Sequence, residues 1–494
     1  MNPDAPLNAL FVVTHDLSPR LGCYADPHAV TPHLDALANG PGGVRFDRHF
    51  CQWPLCGPSR ANLFSGLRPQ RTQRHDNRPF WGRLREGRPA GYATLGEAFK
   101  GAGHRSEHVW HVLHAYETDP PSWSSPAWFP PNPPAPAGTE AIGSEEMRYW
   151  QTEASFDLVR ARLAECRERG VPEHLLHRHA RGPAVEAAPV ADEAYPDGRG
   201  TARAEALIAE HDAATPLFLA VGYEAGHLPW TAPQRDFDAH AGGDYADATP
   251  EPAGSPPFAE GDKEPAQYYW THDYERPWDA TPEQHREMLR GHHASVTFLD
   301  RQVGRLVETL KQKGLYDSTL IVFTSDHGFH VGEHGYYGKH TPWDASFHCP
   351  LIVRNPRGPE AAQVVDAVTE HVDVLPTVCG LAGVPLPAGL DGRNLAGPGG
   401  RIEAAPHHIA TGYRRRLPGD GGCGYFDALT ARSRDHRLTV YRGGSGEQIG
   451  RELFDYAADP GETRNHAGEP ALAAVERALQ ARLAPDLADP ALLP

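Results

Sequence analysis

The chain has 494 residues, 39% hydrophobic and 22% charged. That balance excludes a disordered protein and leaves enough apolar surface for a sizeable core divided over two or three domains. A formal net charge of −17 with histidine neutral, and no Lys/Arg-rich block, exclude nucleic acid as an expected partner and require any anionic ligand to be captured by a local basic pocket. The seven cysteines are irregularly spaced with no CxxC pair, so a disulfide framework is not expected and a reducing compartment fits. Met1 to Leu7 is short, lacks a basic segment and runs directly into an apolar strand, so no signal peptide is read there. No apolar run is long enough to span a membrane; the expectation is a cytoplasmic protein with no membrane partner.

The first segment alternates strand and helix signals. Asn8 to Val13 is a continuous apolar run, as expected for a strand buried on both faces. Thr31 and Pro32 then open a helix through Ala38, as N-cap and first helical residue. A second helix is expected from near Ser59, and a third over about Thr94 to Ala102, stopped by Gly103. The 50 glycines and 48 prolines make up about a fifth of the chain, against a usual value of roughly 12%. Two stretches without clear periodicity, 117–140 rich in Pro, Ser and Trp and 229–285 mixing Pro and Asp with Tyr and Trp, read as long ordered loop insertions. Pro216 to Tyr223 is a buried strand between them. An amphipathic helix follows from about Pro282 to Lys313, then strands at Leu320 to Thr324 and Leu351 to Val353. This repetition predicts an α/β fold: a large, mainly parallel sheet sandwiched between helices. Beyond residue 385 the texture changes to short strand signals near Ala428 and over Arg437 to Tyr441, with a terminal helix from about Pro470 to Leu483. The expected organisation is a catalytic domain over 1–385 and a smaller α+β subdomain over 386–494.

Polar residues gather just after three of these strands, where open α/β sheets place their ligands: Thr14-His15-Asp16, Glu224 to His227, and Ser325-Asp326-His327. The sharpest motif is Cys56-Gly57-Pro58-Ser59-Arg60, followed by Gly66. It resembles the signature of the formylglycine-dependent sulfatases, in the alkaline-phosphatase-like superfamily. Thr324 to Gly328 with Gly332-Glu333-His334-Gly335 and Lys339 resembles the same family, as do Gly222 to Pro229 and the C-terminal Leu453-Phe454-Asp455 with Asp459 to Glu462 and Asn465. The opening segment, with Leu21 to Tyr24 and Thr31 to Asp35, is similar in particular to iduronate-2-sulfatase-like members. The matches run in order over nearly the whole chain.

The resemblance implies an alkaline-phosphatase-like fold and hydrolysis of a small-molecule or carbohydrate sulfate ester. Cys56 would be oxidised to formylglycine by a formylglycine-generating enzyme, and one hydroxyl of its hydrate would attack sulfur beside a divalent metal. Metal ligands carried over are Asp16, Asp326 and His327, with the residue made from Cys56. Arg60 would support the nucleophile, His114 and Lys339 would flank the sulfate, and His227 would contact the ester oxygen as general acid for the leaving alcohol.

Two positions depart from the family pattern. His15 stands where the family has an aspartate ligand, and His111 where it has a lysine against the sulfate, with Trp110 replacing a glycine before it. The first change either softens the ligand set, opening Mn²⁺, Mg²⁺ or Zn²⁺ beside the family's Ca²⁺, or turns His15 away. The second replaces a permanent cation by one charged over part of the pH range. These departures keep two further readings open: a phosphate or phosphonate monoester hydrolase or sulfuryl-transferring enzyme on the same fold, and a non-catalytic binding protein. Trp123, Trp128, Trp270 and Trp278 in the loop insertions are candidates for stacking on a sugar or aryl group, or for packing.

Overall fold

The computed structural model describes residues 6–212, 214–259, 280–405, 409–416 and 425–487. Seven strands form the central sheet, in the spatial order Gln363–Val365, Gly43–Phe46, Leu351–Arg354, Thr319–Ser325, Asn8–Thr14, Leu217–Gly222 and Arg105–Trp110. Asn8–Thr14 runs parallel to both of its neighbours, and Arg105–Trp110 continues the parallel set. Leu351–Arg354 is antiparallel to the strands on either side, so the sheet is mainly parallel, as expected.

Alternation along these strands feeds two cores. Phe11, Val13, Phe218, Ala220 and Val322 pack with Leu63 and Phe64 of the helix Cys56–Ser65, Phe99 of Leu95–Gly101 and Leu375 of His371–Ala382. On the opposite face Leu10, Val12, Leu219, Val221 and Phe323 meet Leu34 of Pro32–Asn39, Leu207 of Pro196–Glu210, and Val296, Leu299, Val303 and Leu306 of Pro282–Gln312. Each such Leu or Phe, fully buried, stabilises the fold by about 1.5–3 kcal/mol.

The 31-residue helix Pro282–Gln312 opens on a capping box between Thr281 and Gln284, and Leu95–Gly101 on one between Thr94 and Glu97. The helix expected from near Ser59 begins earlier, at Cys56. Pro58 falls in its first turn, where the missing N–H would have had no helical partner. The C-terminal part is a four-stranded antiparallel sheet in sequence order: Ile409–Arg416, Tyr425–Arg432, His436–Arg442 and Gln448–Asp455. Leu479 and Leu483 of the helix Ala473–Leu487 cover one face of it. Phe426, Tyr441 and Phe454 on the other face pack against Phe50, Trp53 and Trp343 of the larger part.

The loop insertions prove to be packing devices where they are described. Trp123 stacks on Phe218 at 6.3 Å between centroids and is buried. The backbone of Trp128 pairs with His108 and Trp110, closing the sheet edge that Arg105–Trp110 would otherwise expose. Trp123 is thus core, and Trp128 is half-buried against the second core. In the second insertion Trp230–Pro233 pairs with Val185–Ala188, and Gln234–Asp238 is helical. Trp270 and Trp278 lie outside the described residues. Among the described residues no helix is long and apolar enough to cross a membrane.

Candidate active site

The parallel register sets the site. Asn8–Thr14 and Thr319–Ser325 end side by side, so the residues that follow them, His15-Asp16 and Asp326-His327, emerge together at the carboxyl edge. Asp326 Oδ1 accepts the backbone N–H of Asp16 at 3.0 Å and that of His327 at 2.9 Å, locking the two loops. Leu217–Gly222, on the other flank, delivers Glu224 and His227 through a turn at Gly226. That glycine has φ +103, and a Cβ there would lie 2.1 Å from the His15 carbonyl oxygen, so the turn can close onto the His15-Asp16 loop only without a side chain.

Cys56 opens a helix in which every residue is buried. Its Sγ lies 3.2 Å from Lys339 Nζ and 3.3 Å from His327 Nε2. Burial raises the pKa of this thiol, but Lys339 and His327 outweigh it, and the thiol ionises below its ordinary value. Lys339 also donates to Asp16 Oδ1 at 2.8 Å and Oδ2 at 3.1 Å. Burial works against its charge, and the anions of Asp16, Cys56 and Asp326 more than compensate. His327 donates from Nδ1 to the Gly328 carbonyl at 2.9 Å, which turns Nε2 inward, 3.4 Å from Asp16 Oδ1. Burial lowers its pKa, but Asp326 and its neighbours raise it to about 9. Asp326 itself is pushed up by burial and held well below the carboxylate range by His327, Arg60 and Lys339.

Arg60 differs from expectation. It is fully buried, and its guanidinium is spent on Asp326 Oδ2 at 3.0 Å, Val112 O at 2.8 Å, Thr14 O at 3.1 Å and the carbonyl of His111. It holds the Asp326 carboxylate and two backbone segments, at Thr14 and at His111-Val112, in register instead of donating to Cys56. The helical-turn spacing places it near the nucleophile; the stronger acceptor took it.

His15 points inward. Its Nδ1 is 3.2 Å from Asp326 Oδ2, and neither ring nitrogen has a hydrogen-bond partner although the residue is buried. Burial first, and then Arg60, His111 and His227, hold the ring neutral. One donor atom from each of His15, Asp16, Cys56 and Asp326 lies within 4.8 Å of the others. Two carboxylates, an imidazole with an unpartnered nitrogen, and Sγ standing where a formylglycine oxygen would sit fit a divalent ion.

His111 is not a free anion-binding cation. Its Nε2 accepts the Ala115 N–H at 3.1 Å, which leaves the proton on Nδ1, 3.3 Å from Glu224 Oε1. Burial lowers its pKa to about 4 despite Glu224. Glu224 is bound in turn by Arg148 at 2.6 Å and by the Tyr149 hydroxyl at 2.9 Å. Trp110, where the family has glycine, adopts φ +65, a region costly for any Cβ-bearing residue. Its buried indole compensates by donating to Asp197 at 2.7 Å and stacking under Arg148 at 5.2 Å. Arg148, Asp197 and Asn77, which accepts the Gly57 N–H at 2.8 Å, carried no motif that would mark them in the sequence.

His227 and His114 edge the opening. His227 has a side chain 40% exposed, with Nε2 3.8 Å from Asp16 Oδ2 and Nδ1 bound to its neighbour's carbonyl, Leu228 O. His114 is half-buried, and burial lowers its pKa to about 4.

Comparison with known proteins agrees with this geometry. The sulfatase family model matches residues 8–384. Human iduronate 2-sulfatase is 31% identical over 420 residues, covering 77% of this chain and 70% of that protein. Among solved structures, BT4656 in complex with its substrate D-glucosamine-2-N,6-O-disulfate superposes with a TM-score of 0.69 at 18% identity, covering 97% of each chain. The phosphonate monoester hydrolase of Agrobacterium radiobacter superposes with a TM-score of 0.67 at 23% identity, covering 97% of this chain and 95% of that one. At those identities the superpositions establish the alkaline-phosphatase-like fold, while the family model and the human relative establish kinship: the chain belongs to the sulfatase family and is a sulfuric ester hydrolase.

Proposed function

We propose that the substrate is a carbohydrate sulfate monoester, that Cys56 is converted to formylglycine as the nucleophile, and that His15, Asp16, Asp326 and His327 hold the divalent metal. The observation that carries this reading is the convergence on Cys56 Sγ of Lys339 at 3.2 Å and His327 at 3.3 Å, inside the carboxylate–imidazole cluster. A carbohydrate is supported by the disulfated glucosamine bound by BT4656 and by the iduronate named for the human relative.

A divalent ion held by these residues would supply Lewis acidity to the site. Calcium is the family expectation, and an imidazole in place of a carboxylate favours a borderline ion such as Mn²⁺ or Zn²⁺ over Ca²⁺ or Mg²⁺. The chain's own groups do the rest. Lys339 holds positive charge against the nucleophile and the developing charge on sulfate oxygens. Arg60 fixes Asp326 and the backbone of Thr14, His111 and Val112 so that both loops keep their geometry. His227, with Nδ1 bonded to its neighbour's carbonyl and Nε2 at the exposed edge, gives up its Nε2 proton to the departing alcohol oxygen when cationic.

The test is co-expression with a formylglycine-generating enzyme, followed by kcat/KM on matched 4-nitrophenyl sulfate, phosphate and methylphosphonate. A preference for sulfate on the order of 100-fold is expected. Equal or faster turnover of the phosphonate would overturn it. Bound-metal analysis after stripping and resupply with Ca²⁺, Mg²⁺, Mn²⁺ or Zn²⁺ separately tests His15 as a ligand: Mn²⁺ or Zn²⁺ is retained, and a His15→Ala variant loses it.

A further inference from the structure

A cavity of about 670 Å³ opens beside the nucleophile, lined by Asn77, Phe80, Trp81, Arg83, His114 and Tyr116, among others, a size ordinary for a small-ligand site. Two of these residues join it to the catalytic centre: His114, and Asn77 through its bond to Gly57 N–H at 2.8 Å. The aromatic walls are fixed from behind. Tyr116 is 38% exposed, yet its hydroxyl accepts from Arg148 at 3.0 Å and from Asn132 at 3.2 Å. Trp81 donates its indole N–H to Glu117 at 3.0 Å. Glu117, the one anion of the lining, is neutralised by a two-point bond to Arg74 at 2.8 and 2.9 Å.

Arg83 is different. Nearby arginines are tied down: Arg71 to Asp391, Arg74 to Glu117, Arg78 to Asp76, Arg85 to Glu97 and Asp119, and Arg88 to two backbone carbonyls. Arg83 is exposed on the cavity wall, and among the described residues its guanidinium is matched with no acceptor. A chain of net charge −17 repels polyanions at a distance, so an unpaired cation on the wall of this cavity is a local point of capture. We propose that this cavity is a subsite for the remainder of a polyanionic saccharide, and that Arg83 selects substrates carrying a second sulfate or carboxylate besides the ester that is cleaved. The ring would lie against Phe80 and Tyr116, whose faces suit a sugar's C–H surface. The proposal rests on the sulfatase reading for the identity of the first anion.

The test is titration calorimetry at low salt on a Cys56→Ala variant, which binds without turnover, using methyl glucoside 6-sulfate and methyl glucoside 2,6-disulfate. The disulfate is expected to bind at least about tenfold more tightly, as a charge-assisted bond provides. Adding Arg83→Gln removes most of that advantage, and adding Arg83→Lys keeps the larger part of it, with thermal unfolding showing each variant folded. An absent advantage, or one that survives Arg83→Gln, overturns the proposal. If wild-type protein cleaves no sulfate ester but the advantage and its loss are seen, the mechanism fails and the subsite stands. If sulfate esters are cleaved and no advantage appears, the subsite alone falls.

Discussion

The two sides of the active site are built on opposite electrostatic plans. On one side Asp16, Lys339, Cys56 and His327 alternate in charge at 2.8–3.4 Å, with Asp326 3.7 Å from His327, and every residue matches the family pattern. On the other, His15 and His111 stand where the family has an aspartate and a lysine, with ring centroids 4.3 Å apart. Both rings are held neutral, chiefly by burial. One negative and one positive charge have been lost together, so the summed charge of the site is unchanged. The paired loss lowers the desolvation cost that two buried ions carry. Behind the site Arg148 and Glu224 form an ion pair at 2.6 Å.

The largest expected effect lies on the matching side. Cys56→Ala should reduce kcat/KM on 4-nitrophenyl sulfate by about 10⁴ or more, as loss of a covalent nucleophile does; a loss under tenfold would place the chemistry elsewhere. Arg60→Ala comes next, because it strands Asp326 in the interior. Urea denaturation should show a loss of about 3–5 kcal/mol, and an unchanged midpoint would mean that Arg60 does not hold the loops.

The departing side gives a smaller but more discriminating effect. His15→Asp adds a carboxylate beside Asp326 with no new cation, and should destabilise metal-free protein. His111→Lys in the same chain should relieve this, with a coupling of about 1–3 kcal/mol in a double-mutant cycle. Additive effects would show that the two positions changed independently.

The last effect is shared among several residues and lies in acid. Burial holds His108 at about 3 and His111, His114 and His240 at about 4, while each titrates near 6.5 when unfolded. The unfolded chain therefore binds more protons between these values, and stability rises with pH through that window. It is fully present above about pH 6.5 and is lost as pH falls toward 4. Melting temperatures over that range should fall steeply, His111→Gln should flatten the slope slightly, and a level profile would contradict the neutral-ring assignment.

Much of this was legible in the sequence. The strands and the long helix followed from apolar runs and 3.6-residue spacing, because burial enforces those patterns locally. Cys56, Asp326, His327 and Lys339 followed from the resemblance of their segments to sulfatase motifs. What escaped were residues chosen by three-dimensional neighbours. Arg148 comes from an insertion with no motif, and Arg60 was drawn to Asp326, 266 positions away in the chain. His111 looked like a titratable cation until Ala115 N–H occupied its Nε2. Trp123, for which stacking on a ligand and packing were both open, is core.

The most direct test of the central claim is peptide mass spectrometry of the fragment containing Cys56, from protein co-expressed with a formylglycine-generating enzyme. The account predicts the mass of formylglycine at position 56, absent from the Cys56→Ala control. An unmodified thiol in protein that still cleaves sulfate esters would contradict it, and would assign the chemistry to the cysteine itself among His15, Asp16 and Asp326.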